Sequence, residues 1–240
     1  MKTCYMIWSL CAVNVIGISM TWNGSIGING VITLTRYNQR FSLYPPERRF
    51  TMAWQKLQFR LTGDAPMIQH NGQTADPLNR FSKALKAISS KRKKTDSDLE
   101  ELAHLEFLAG LYMSEDGPII PPMVIDACII DAAKKNRESV LAKSGFFTVG
   151  NSIMEYNGPR SAEELWKDER FRLSVPVRVQ TARVIRTRPL FNEWSLVTNV
   201  QYEDSVVNAA TVSGWFNIAG ALVGLGDWRP RFGRFQAQRL

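Results

Sequence analysis

Between Leu173 and Gln238 the hydrophobic period of this chain switches from two to the helical period of about 3.6 and back. Val175, Val177 and Val179 alternate with Ser174, Arg178 and Gln180. After an irregularity near Thr181 and Ala182, the run VIRTR sets Arg186 and Arg188 on one side. WSLVTNVQY, Trp194 to Tyr202, reads as the next strand, with Leu196, Thr198 and Val200 on one side and Val197 opposite. Pro189 and Asn192 mark the turn between the two runs, which predicts a long arginine-bearing hairpin. Asp204 then caps a helix containing Val207, Val212, Trp215, Phe216, Ile218, Ala219 and Leu222, and Gly224 ends it. A last short strand follows over Arg234 to Gln238. Strand, helix, strand in this order is one half of a split βαβ unit, a pattern with few permitted topologies.

The other half needs a first strand, and KLQFRL supplies one, with Leu57, Phe59 and Leu61 alternating. The expected class is therefore α+β: one antiparallel sheet of ferredoxin-like (RRM-like) type, with a helical insertion at about residues 76–137. In that stretch Asp76 and Pro77 read as N-cap and first helical residue, and Leu78, Phe81, Leu85 and Ile88 lie at helical spacing. A second helix starts near Thr95 to Ser97, with Leu99, Leu102, Leu105 and Leu108 as its stripe. Asp116-Gly117 predicts a hairpin turn. Pro121 and Pro122 open a helix whose Val124, Cys128, Ile129 and Ala132 face a core. GFFTV at 145–149 reads as a strand, and Ser161 with Glu164 as a capping box for a short helix to about Glu169.

The first 51 residues have a different character. Residues 1–22 are mostly apolar behind one lysine, but Asn14 and two serines dilute the run and no A-x-A site follows. A secretion signal or membrane anchor is one reading. The other takes Met52 as the natural start, because Glu47-Arg48-Arg49 can be encoded by a purine run of the kind that recruits bacterial ribosomes. Residues 1–51 would then be an upstream-translated or weakly signal-like extension, poorly structured, ahead of a single domain over 52–240. On that reading no membrane partner is expected and the location is cytoplasmic, in a bacterium or a phage-infected host.

The formal charge of +8 is unevenly spread. From Arg170 to Leu240 ten arginines face four acids, a net of +6 carried by arginine alone. A guanidinium fork suits phosphate and stacks on bases, so an acidic polymer is the first partner to consider. The densest stretch is GLGDWRPRFGRF. In it Gly224, Gly226 and Gly233 allow close approach and amides free to face an anion, while Arg229, Arg231 and Arg234 supply charge-assisted bonds and Trp228 an aromatic face. Gly224 and Gly226 also have plain structural uses as helix cap and turn residue. Arg178, Arg183, Arg186 and Arg188 in the hairpin are a second source of positive charge. A third is Lys91, Arg92, Lys93 and Lys94, which read either as a solvated interhelical loop or as a finger touching phosphates.

The run ALVGLGDWRPRFGRF resembles the C-terminal glycine-rich loop of the RAMP superfamily, the ferredoxin-like RNA-binding subunits of CRISPR effector complexes. GPIIPPMVIDACIIDAAKK is similar to that superfamily's segment in which an "I-P" strand end leads into a helix. The resemblance implies an RRM-like sheet that binds RNA, often as a repeating backbone subunit alongside other effector subunits. The glycine-rich loop then maps to Gly224, Gly226 and Gly233 with Arg229, Arg231 and Arg234 around them. A stand-alone or phage-encoded relative fits the same residues.

Little points to chemistry. GxxxxGK[ST] and G-x-S-x-G are absent. Cys4, Cys11 and Cys128 lack ligand spacing to one another or to His70 and His104, so no metal and no cofactor is expected. Cys128 reads as a buried thiol. His70, in a polar loop, is a weak candidate general base. The reading is thus a binder of RNA or single-stranded DNA, assembling as a homo-oligomer along the strand. The alternatives are a RAMP-like endoribonuclease using His70 and a structural or virion assembly protein.

Overall fold

Strand β1 (Trp54–Gly63) buries Leu57, Phe59 and Leu61 and turns Lys56 and Gln58 to solvent, as the alternation requires. In this computed structural model, which describes residues 53–179 and 182–240, β1 lies between two antiparallel partners. One is β10 (Phe235–Arg239); the other is β9 (Ser195–Glu203). The far side of β9 pairs with β5 (Phe146–Val149) and then with β6 (Ser152–Glu155). The register slips by two residues across Gly150 and Asn151 between them. Outside β6 lie β4 (Gly117–Ile120) and β3 (Met113–Ser114), a hairpin turning through Glu115 and Asp116. The order is β10-β1-β9-β5/β6-β4-β3, and every pairing is antiparallel.

Two helices cover one face of this sheet. Helix α3 (Pro122–Lys135) starts at the expected proline pair and buries Ile125, Cys128, Ile129, Ala132 and Ala133. Helix α6 (Ala209–Ile218) continues through a π turn at Ala219–Val223 to Gly224. Phe216 of α6 stacks on Phe59 of β1 at 4.1 Å, and Trp215 meets Phe146 edge-on. Burying such rings supplies most of the drive for the layer to form. The chain is α+β with antiparallel sheets. No helix among the described residues is long and apolar enough to cross a membrane.

A second, three-stranded sheet stands beside the first. It consists of β2 (Met67–Ile68), β8 (Ala182–Phe191) and β7 (Arg172–Val179), in the order β2-β8-β7. The expected pairing of the 173–188 run with 194–202 is therefore corrected. Residues 172–179 pair back on 182–189, with Val179 opposite Ala182, and β9 leaves for the main sheet. Pro189 lies inside β8 opposite Arg172 instead of marking a turn. The reason is burial: Leu196, Thr198, Val200 and Tyr202 are all buried, and only a central position in the main sheet covers them. The irregularity at Thr181, the N-terminal 51 residues and Met52 lie outside the described residues.

Helices α1 (Arg80–Ser89) and α2 (Asp96–Gly110) precede β3; α4 (Ser139–Gly145) precedes β5, and α5 (Ala162–Lys167) follows β6. Several boundaries differ from expectation. Asp76 closes a turn by accepting from the Leu78 N–H, and Asn79 is the cap of α1, accepting from Phe81. Leu78 is exposed, and Ile88 alone in α1 is fully buried. On α2 the buried residues are Asp98, Glu106, Phe107, Ala109 and Gly110, while Leu99 is exposed, because the helix turns its C-terminal end to β8. Asn208, not Asp204, caps α6. Ser161 caps α5 as expected, and the helix stops at Lys167.

Candidate nucleic-acid interface

The stretch from Gly224 to Arg234 is a folded loop, and its backbone is spent on the protein itself. Gly224 N–H closes the π turn on Ala219 O at 2.8 Å, and its carbonyl accepts from the buried Cys128 thiol. Leu225 N–H donates to Gly233 O, so the loop's two ends close on each other. Asp227 N–H donates to Ile68 O and Gly233 N–H to Pro66 O, at 2.9 and 2.8 Å, which anchors the loop on β2. Asp64 and Ala65 N–H both donate to Arg234 O. These contacts need backbone at van der Waals distance. A Cβ on Gly226 would sit 2.2 Å from Ile68 O, and both Gly226 and Gly233 have positive φ. The expectation of amides left free to cradle an anion is corrected at Gly224, Leu225, Asp227 and Gly233: their N–H groups hold the loop to β2 and to itself.

Trp228 also has positive φ, 53°, fixed by its N–H bond to Asp227 Oδ1 and an edge contact with Phe232. Its ring is half-buried, so it clasps the loop as well as facing solvent. Arg229, Arg231 and Arg234 are exposed on the loop's outer side. Arg229 reaches Asp131 of α3 at 3.4 Å.

Strand β8 brings the second basic group to the loop. Arg188 Nε lies 3.9 Å from Asp227 Oδ2. Arg186, on the same side of the strand, bonds Glu106 of α2. Glu106 is nearly fully buried, and its other oxygen accepts from Thr187 N–H at 3.0 Å, so the carboxylate acts as an edge partner where β2 has ended. Arg188 is mostly buried, and burial lowers its pKa from the ordinary value. It remains a cation. Its Nε has no hydrogen-bond partner among the described residues.

The hairpin's four arginines thus divide. Register sets Arg178 opposite Arg183 on the face of Ser174 and Thr187, while Arg186 and Arg188 lie on the other face with Val175 and Leu173. Of the latter pair, Arg188 reaches the glycine-rich loop, at Asp227. The tract Lys91–Lys94 joins α1 to α2; Lys91 bonds Asp98 and Lys94 donates to Lys91 O. Its four side chains are exposed.

His70 comes to the same place. It follows β2 at the rim of a cavity of about 110 Å3 lined by Gln69, His70, Tyr112, Ile120, Val124, Gly226 and Asp227. Gln69 is buried and holds this wall: its side chain donates to Ile119 O and accepts from Tyr112 N–H. Tyr112 OH donates to His70 O at 3.2 Å. Desolvation of the imidazole, then the Arg188 charge, lowers the His70 pKa below its ordinary 6.5, although the residue as a whole is exposed at the rim. His104 sits apart, between Glu163 and Trp166. Among the described residues no cluster of His, Cys, Asp and Glu could hold a metal ion.

Sequence reasoning missed Glu106, Tyr112, Gln69 and Asp227. Asp227 stands inside the GLGDWRPRFGRF motif and could have been found there; the other three carry no local signal. No protein-family model and no curated protein sequence matches the chain.

Proposed function

We propose that this chain binds single-stranded nucleic acid, RNA by preference, on the basic face where the glycine-rich loop meets β8. The observation that carries the reading is the approach of Arg188 to Asp227, which joins two separate arginine groups, with Arg229, Arg231 and Arg234 exposed beside them. Arginine offers forked donors to phosphate and a planar face to unpaired bases. The strand order also supports a ferredoxin-like reading. The first, second, third and fourth strands of such a unit correspond to β1, β5/β6, β9 and β10, with α3 and α6 in the crossover positions. That order agrees with a RAMP-like relationship; with it we propose use as a repeating subunit on a strand, in the cytoplasm of a bacterium or phage-infected host.

The test is binding of a labelled single-stranded RNA across a salt series. Affinity is expected to fall steeply between about 50 and 200 mM salt. Arg231→Ala weakens it without changing the thermal midpoint, since the side chain is exposed. Absence of binding at low salt would overturn the reading.

Endoribonuclease activity is the second reading, and the place of His70 at the rim of the cavity, with its pKa lowered by desolvation and by the Arg188 charge, favours it. Such a base takes the proton of a 2′-hydroxyl as its oxygen attacks the adjacent phosphorus, and the 5′-oxygen leaves with a proton from solvent. His70→Ala would abolish cleavage and leave binding in place.

A further inference from the structure

We propose that the cavity beside the glycine-rich loop receives one extruded base of the bound strand, and that Asp227 makes that base guanine. The inference rests on the nucleic-acid reading above and narrows it to a ligand.

Size is the first argument. About 110 Å3 is several times the space one water needs and well below the range of sites for drug-sized ligands. It suits a single flat ring system, not a whole nucleotide. The walls are suited to a base as well. Tyr112 offers an aromatic ring, and Ile120 and Val124 offer apolar surface. A base leaving a single strand has no pairing to break, so entry is inexpensive.

Polar capacity is the second argument. Asp227 Oδ1 accepts one bond, from Trp228 N–H, and Oδ2 has Arg188 Nε at 3.9 Å, beyond hydrogen-bond distance. Each carboxylate oxygen accepts more than one hydrogen bond, so both retain capacity toward the cavity. Of the two partners in that contact, Asp227 is the one that lines the cavity. A carboxylate accepts only, and guanine alone has two adjacent donors, N1–H and the 2-amino group, on its Watson–Crick edge. Uracil sets one N–H between two carbonyls. Adenine and cytosine set one amino group beside a ring nitrogen whose lone pair would face the carboxylate.

The experiment uses the full chain and two labelled RNA oligomers at one low salt concentration, one of uridine only and one with a single central guanosine. It adds titrations with GMP, AMP, UMP and CMP. One guanosine is expected to raise affinity about tenfold or more, the discrimination typical of a bidentate base contact. In Asp227→Asn the two oligomers bind alike. Val124→Phe, which fills the cavity and leaves the loop's hydrogen bonds intact, gives the same result. Equal binding of the two oligomers by the natural chain, or a guanosine gain that survives both substitutions, overturns the inference while leaving nucleic-acid binding standing. If neither oligomer binds, the broader reading fails and the mononucleotides decide the cavity. GMP binding that Asp227→Asn abolishes keeps the assignment; no preference for GMP ends it.

Discussion

A Cβ built on Gly233 would lie 1.8 Å from Leu225 O, and its φ of 73° is one that L side chains adopt at a cost. Gly233→Ala is therefore expected to destabilise the fold by more than about 1–2 kcal/mol, the cost of the left-handed backbone alone. Urea denaturation should show a lower midpoint with an unchanged slope; an unchanged midpoint would mean the loop relaxes freely. The glycines were legible in the sequence as positions of special backbone. Which demand they answer was not, because the acceptors are Pro66 O and Ile68 O, more than a hundred residues earlier. The arginines were legible as charge, but Asp227 and Glu106, which orient Arg188 and Arg186, come from distant turns of chain.

Helix α2 is the element whose start the sequence reads best. Thr95 and Asp98 form the full capping box, each side chain bonded to the other's backbone. The Lys91 ammonium, then the Thr95 backbone, hold the Asp98 carboxyl down at about 2 against an ordinary 3.8. A carboxyl depressed in the folded state stabilises the fold above its unfolded pKa and loses that contribution as pH falls through the folded value. Stability should thus decline between about pH 4 and pH 2 partly through Asp98. Asp98→Asn should flatten that part of the profile, read as urea midpoints on either side of the window. An identical profile in the variant would remove Asp98 from the acid transition. The far end of α2 was only partly legible: Leu102, Leu105 and Leu108 are half-buried as a stripe would have them, but the sequence gives no sign that Glu106 is buried beside Phe107 to accept from the Thr187 N–H of β8. Strand pairing fails in sequence for a related reason. Alternation says that 173–188 and 194–202 are strands, but not which neighbour each will take.

For the molecule as a whole, basic charge gathers on the loop's outer side, while Arg178 and Arg183 lie on the other face of the β7–β8 hairpin. A single strand on the loop would engage Arg229, Arg231 and Arg234, and the slope of log affinity against log salt counts such contacts at about 0.7 each. Arg231→Ala should reduce that slope by about 0.7. Arg183→Ala should leave it unchanged if the strand stays on the loop face. A loss at Arg183 equal to that at Arg231 would mean the strand wraps the hairpin instead.

By itself the sequence determined the alternation of β1, the helical stripes of α3 and α6, the start of α2 near Thr95, the cap at Ser161 and the density of arginine, because each is a local pattern of period, cap or charge. Only the tertiary structure decided that β9 leaves its chain neighbour β8 for the main sheet, and that the amides of Asp227 and Gly233 are spent on Ile68 O and Pro66 O. It also brought His70, Tyr112 and Asp227 around one cavity. Those outcomes depend on which buried surfaces and unpaired backbone groups find each other across long stretches of chain, a competition that no local window of residues contains.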